Sequence, residues 1–276
     1  MTFTYQRSYR GKLKAVMLDW AGTTMDFGCM APAVVFIKVF AKAGVPISMA
    51  EARQPMGAHK KVHIQRITEI PTVRERWIET HGKEPAGADV DAMFADFVPM
   101  QEACLSDYSE LIPGTLEVIA ECRQRGYKIG STSGYLPGML AINQADAKKQ
   151  GYEPDYTCGA GDVPAGRPYP FMVLKNMIEL EVSPVEAVVK VDDTLTGIEE
   201  GINAGSWGIG LAISGNEVGV PLDEWNAFSA EVKQAHRERI YPTMYQRGAH
   251  YVVDSIAELM PCLDDIEARL ARGEKP

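Results

Sequence analysis

Asp19 comes directly after the apolar run Ala15-Val16-Met17-Leu18, and Ala21, Gly22, Thr23 and Thr24 follow it. A carboxylate delivered by a strand into a turn of small and hydroxylic residues suits attack on phosphorus. Backbone N–H groups and hydroxyls such as that of Thr23 are then available to hold an anion. A phosphorus-centred dianion repels such a nucleophile, so a metal and fixed donors are needed beside it. Val188-Val189-Lys190-Val191-Asp192-Asp193-Thr194 supplies a second apolar strand that ends in acids. Asp193 is the preferred magnesium ligand beside Asp19, Asp192 is a supporting group or an alternative ligand, and the main-chain carbonyl of Ala21 is a further oxygen donor. Two more segments suit the same anion. Ile129-Gly130-Ser131-Thr132-Ser133-Gly134-Tyr135 runs from a strand into hydroxyls, with Ser133 and Gly134 as phosphate holders, and Ala165-Gly166-Arg167-Pro168 sets a guanidinium in a tight loop.

Positioning these residues requires parallel strands that deliver side chains at their C-terminal ends. Apolar runs at 15–18, 127–130, 187–191 and 206–211, with a later one at 251–253, alternate with helix-like segments and predict an α/β core. The stretch 31–105 differs: it has helical periodicity, many charges, and interruptions at Pro46, Pro55, Pro71 and Pro85. The expected organisation is a Rossmann-like parallel-sheet core formed by residues 1–28 and 106–276, with an inserted helical cap at 29–105. A cap that closes over a ligand excludes water and adds residues to the site.

The 276 residues and 46% hydrophobic content support a sizeable core, and the formal charge of -9 argues against a general nucleic-acid or anionic-membrane binder. Five scattered cysteines, odd in number and without metal-type pairing, predict a reduced cytoplasmic protein. The polar segment 1–14 lacks an apolar signal core, and no apolar stretch has the length of a membrane span.

Taken singly, each motif has an ordinary reading. Asp19 caps a turn, Asp192-Asp193-Thr194 starts a helix, Ser133 ends a strand, and Arg167 makes a surface ion pair worth about 0–1 kcal/mol. Their succession resembles the haloacid dehalogenase superfamily, which favours phosphoryl transfer. Most phosphatases and mutases of that superfamily carry a second aspartate two positions after the nucleophile, to protonate the departing oxygen. Here that position is Ala21. Arg167 stands where lysine is frequent, and Gly197 where many members carry another acid, for which Asp192 is the compensating candidate.

The segment Glu51-Ala52-Arg53-Gln54-Pro55-Met56-Gly57-Ala58-His59-Lys60-Lys61-Val62-His63 narrows the resemblance. Together with Asp19 to Thr24, Ile129 to Tyr135, Asp162 to Pro170, Asp193-Thr194 and Gly248-Ala249-His250, it is similar to the phosphonoacetaldehyde hydrolase family, the phosphonatases, over most of the chain. The resemblance implies that Lys60 forms an imine with a substrate aldehyde. It also implies a magnesium cofactor, a small-molecule phosphonate substrate, a homodimer and a step in 2-aminoethylphosphonate degradation. If 56–63 is helical, Met56, Lys60 and His63 share a face, which sets a thioether and a proton-transfer imidazole beside the amine. Arg53, Lys61, the metal and desolvation then favour the neutral amine. Without the resemblance Lys60 is an ordinary solvated lysine, His63 and Met56 are packing residues, and Cys29 and Tyr135 are supporting residues near the site.

An imine explains the missing acid. An iminium accepts the electrons of a breaking carbon–phosphorus bond, so no ester oxygen has to be protonated and Ala21 leaves room. Two other readings compete: a magnesium-dependent phosphatase or mutase that does not use the lysine, and a non-enzymatic interaction module. Ala21 and Lys60 weigh against the first, and metal-dependent phosphate release separates the second.

Overall fold

All four residues of Ala15–Leu18 (β1) are buried, as expected of a central parallel strand covered on both faces. The structure is a computed structural model that describes residues 8–276. Residues 1–7, which hold half of the expected polar segment and the start of the expected core, lie outside the described residues. Five more strands follow β1: Lys128–Ser133 (β2), Tyr156–Gly159 (β3), Val188–Asp192 (β4), Trp207–Leu211 (β5) and Tyr251–Val253 (β6). They form one sheet in the order β3-β2-β1-β4-β5-β6, with every neighbouring pair parallel. The winding reverses between β1 and β4, where open α/β sheets bind ligands at the strand ends. Leu18 is in register with Ser131 on one side and Val191 on the other. Asp19, Ser133 and Asp193 therefore leave the same edge of the sheet.

Five α-helices lie within residues 29–105, the insert after β1: Met30–Lys42 (α1), Met49–Arg53 (α2), Lys60–Glu69 (α3), Pro71–His81 (α4) and Gly87–Cys104 (α5). Local chemistry sets their starts. The Asp26 carboxylate accepts the N–H groups of Met30 at 2.9 Å and Ala31 at 3.0 Å, at the positive end of α1. Ser48 and Glu51 form a reciprocal capping box on α2, and Pro71 occupies the first turn of α4, where a missing N–H costs nothing. The seven helices after the insert are Thr115–Gln124 (α6), Pro137–Lys149 (α7), Phe171–Glu179 (α8), Leu195–Ala204 (α9), Leu222–Ala227 (α10), Ala230–Gln246 (α11) and Leu259–Arg272 (α12). This is the expected Rossmann-like α/β class.

The insert and sheet share one apolar body. Phe36, Phe40 and Phe97 from the insert belong to the same buried cluster as Val16, Leu18 and Ile129, and the Phe36 and Phe97 rings stack at 4.5 Å. Burial of such side chains contributes about 1.5–3 kcal/mol each. Two strand expectations change. β2 continues to Ser133, because its hydroxyl residues are buried against neighbouring polar groups, and β3 had no apolar run to announce it at the sheet edge. Among the described residues, no helix is long and apolar enough to cross a membrane.

Candidate active site

Asp19 is buried at the end of β1, and Arg167 Nη2 donates to its Oδ1 at 2.7 Å. The same Nη2 donates to the Thr132 carbonyl at 3.1 Å and hydroxyl at 2.8 Å, and Nε donates to Glu200 Oε2 at 3.2 Å. Burial works against the guanidinium charge, but Asp19, Asp192 and Glu200 outweigh it and hold Arg167 well above its ordinary pKa. A surface ion pair is thereby excluded for Arg167.

The two acids that end β4 differ in their surroundings. Asp192 Oδ2 accepts Lys190 Nζ at 2.7 Å and lies 3.1 Å from Arg167, while Oδ1 accepts the Thr194 N–H at 2.9 Å and hydroxyl at 2.7 Å. Burial opposes its charge, yet Arg167 and Lys190 lower its pKa. Asp193 accepts only the Thr23 hydroxyl at 3.2 Å and the Asn216 N–H at 2.8 Å, and among the described residues it forms no ion pair. Burial, then Asp192 and Asp19, drive its pKa well above the ordinary carboxylate value. One oxygen from each of Asp19, Asp192 and Asp193 lies within 4.8 Å of the others. This set of oxygen donors fits a hard divalent cation, with Asp193 the acid that forms no ion pair among the described residues.

Lys60 enters from above as the first residue of α3. Its Nζ lies 4.5 Å from the centroid of the Tyr135 ring and 5.9 Å from that of Phe36. Burial, followed among the lowering causes by Arg167, takes its pKa down to about 8. Arg53 and Lys61 are not the cations behind this shift: Lys61 points to solvent and pairs with Asp91. Lys60, Asp19, Arg167, Ser133, Gly134 and Tyr135 line one cavity of about 20 Å³, together with Ala21, Cys29 and Met56. That volume holds about one water molecule, and residues of the insert and of the sheet's loops line it together.

A family model for haloacid dehalogenase-like hydrolases matches residues 13–205. The chain is 45% identical, over its whole length and 94% of the relative, to phosphonoacetaldehyde hydrolase of Hahella chejuensis. It is 46% identical to that of Vibrio cholerae, over 96% of this chain and 98% of the relative. The crystal structure of a phosphonoacetaldehyde hydrolase-like protein from Oleispira antarctica superposes with a TM-score of 0.97 at 42% identity, covering all of both chains. The chain belongs to the phosphonoacetaldehyde hydrolase family. It is thus a hydrolase with the haloacid dehalogenase core.

Several expected family positions lie beside the cavity rather than on it. Thr23 spends its hydroxyl on Asp193, and Asp192 and Asp193 sit behind the lining. His63 stacks on Phe36 at 3.8 Å, its Nε2–H donates to the Ala52 carbonyl at 2.8 Å, and burial pushes it well below its ordinary pKa. Met56 does not precede Lys60 on a helix. Gly57 has φ +87° and lies against Thr194 and Thr196, where a Cβ would come within 2.4 Å of a hydroxyl oxygen. The chain turns there, and Met56 reaches the cavity from the turn. Burial keeps Cys29 and Tyr135 in their protonated forms, well above their ordinary pKa values.

The departure at Gly197 has a steric cause. A Cβ at this position would lie 2.0 Å from the Asp192 carboxyl carbon, so the glycine vacates the space that Asp192 fills. Sequence reasoning missed Lys190 and Glu200, which lie 3.7 Å apart with both side chains fully buried. One signal for Lys190 was present: a lysine amid three valines in an apolar strand of a parallel sheet needs an internal partner.

Proposed function

We propose that this protein hydrolyses the carbon–phosphorus bond of phosphonoacetaldehyde to acetaldehyde and phosphate, as the names of its relatives say of them. The observation that carries the reading is that the Lys60 amine and the Asp19 carboxylate line one cavity whose remaining usual acid position is Ala21. In this reading the neutral Lys60 amine adds to the aldehyde and loses water to form an imine. The Asp19 carboxylate then attacks phosphorus. The electron pair of the carbon–phosphorus bond moves into the protonated imine, so an enamine leaves and an aspartyl phosphate forms. Water hydrolyses the aspartyl phosphate. Protonation of the enamine and hydrolysis of the imine release acetaldehyde and restore Lys60.

Arg167 orients Asp19 and offers donors to the phosphoryl oxygens, and Ser133 and Gly134 cradle the same group. Asp19, Asp193 and the Ala21 carbonyl would hold Mg²⁺, which when bound neutralises phosphoryl charge. Residues 29–105 act as the cap over the 1–28 and 106–276 core, and closure keeps water from the imine. His63, neutral, stacked on Phe36 and bonded to the Ala52 carbonyl, is off the cavity, so in this reading it packs the insert and does not transfer a proton. The reaction would serve 2-aminoethylphosphonate degradation by a cytoplasmic homodimer, with the free cysteines suited to a reducing compartment.

The test is turnover of phosphonoacetaldehyde with and without magnesium, quantifying phosphate and acetaldehyde, alongside a panel of phosphate monoesters. Equimolar release of both products is expected. Dominant monoester hydrolysis would replace this reading with a phosphatase.

A further inference from the structure

Arg53, the last residue of α2, is buried although no carboxylate pairs with it among the described residues. Its Nη1 donates to the carbonyls of Gly28 at 2.8 Å and Cys29 at 3.3 Å, and to Asn216 Oδ1 at 3.2 Å. Its Nη2 donates to the Gly219 carbonyl at 3.1 Å. One guanidinium therefore ties together three segments: the insert, the linker from the core to α1, and the loop 214–219 that follows β5. The loop also grips the nucleophile turn, because Ser214 Oγ donates to the Gly22 carbonyl at 2.8 Å and its carbonyl accepts the Gly28 N–H at 2.7 Å. At its centre, Asn216 binds Arg53 through its side chain and Asp193 Oδ2 through its backbone N–H at 2.8 Å.

We propose that Arg53 is a latch that fastens the closed insert to loop 214–219 and, through Asn216, fixes the Asp193 carboxylate for the reaction. A buried guanidinium is costly unless its donors are met, and its planar fork fits acceptors only in a fixed arrangement. These acceptors come from separate segments and meet only when the insert sits on the core. Opening the insert returns Arg53 to water and frees the Asn216 side chain. The loop then loses the contact that holds its N–H on Asp193. Arg53 is a positioning residue, acting on Asp193 through Asn216, and closure and carboxylate orientation become one event.

Hydrogen exchange on the full chain, without substrate, tests the latch independently of the proposed chemistry. The kinetic part rests on phosphonoacetaldehyde cleavage. Arg53→Met and Asn216→Ala should each speed amide exchange in 214–219 by about tenfold while the exchange of β1 and β4 stays unchanged. The double variant should exchange no faster than the faster single, since both break one connection. Arg53→Lys, which keeps the charge but not the fork, should behave as Arg53→Met does, and kcat should fall about tenfold with KM changed less. Unaltered exchange in 214–219, or fully additive effects, would overturn the proposal. If Arg53→Met does not fold, the exchange of Asn216→Ala alone decides: faster 214–219 amides support the latch and wild-type protection rejects it.

Discussion

Lys60 Nζ lies 4.5 Å from the centre of the Tyr135 ring, so the amine faces an aromatic surface and not a carboxylate. Such a face stabilises the ammonium weakly compared with an ion pair, while burial disfavours the charge outright. The result is an amine pushed down to about 8 that shares a cavity with Asp19.

That poise predicts a pH dependence with a definite sign. The amine attacks an aldehyde only when neutral, so below about 8 the reactive fraction falls as pH falls. Borohydride trapping of phosphonoacetaldehyde should rise about tenfold per pH unit up to that point and then level. Peptide mass spectrometry should locate the reduced two-carbon adduct on Lys60; an adduct solely on Lys61 would refute the assignment. Lys60→Arg should lose carbon–phosphorus cleavage by on the order of 10³-fold or more, because a guanidinium does not readily form the imine.

Asp193 should report on the metal. Chelation is expected to abolish turnover and magnesium to restore it. Magnesium should also raise the melting temperature of the wild type but not of Asp193→Asn. In metal-free buffer Asp193→Asn should melt above the wild type by about 2–4 °C, since one of three crowded carboxylates is gone. Equal magnesium stabilisation of both proteins would exclude Asp193 as the ligand.

The buried charges behind the site should be strongly coupled. Glu200→Leu strips Arg167 and Lys190 of a shared carboxylate, and Lys190→Met leaves Asp192 and Glu200 short of a cation. Each single change should cost about 3–5 kcal/mol in urea unfolding, and the pair together less than the sum.

Ala21→Asp would restore the acid that most phosphatases carry, but in a cavity of only about 20 Å³. The added carboxylate both crowds the substrate and repels its phosphonate. Cleavage of phosphonoacetaldehyde should fall by about 10²-fold in steady-state assays. Unchanged turnover would show that the small side chain is not required.

Local order along the chain made much of the site legible. An apolar run followed by an acid marks a strand delivering a carboxylate, so the strand ends at Asp19 and Asp193 could be read in place, and helical periodicity marked 31–105 as a helical stretch. A four-residue edge strand such as β3 carries too little pattern to be read this way. Nor did spacing show that the chain turns at Gly57, between Met56 and Lys60, where it packs against Thr194 and Thr196, far away in sequence.

The sequence by itself determined the groups available: a strand-end aspartate without a second acid two residues on, an arginine, a pair of acids and a lysine in the helical stretch 31–105. Only the tertiary structure decided between neighbours. It turned Lys60 inward and Lys61 to Asp91, matched Asp192 to Lys190 and Arg167 while leaving Asp193 without a cation, and took Thr23 for Asp193. The physical reason is that adjacent residues share local propensities but face different surroundings. Those surroundings are set by which strands lie side by side and by how the insert closes over them.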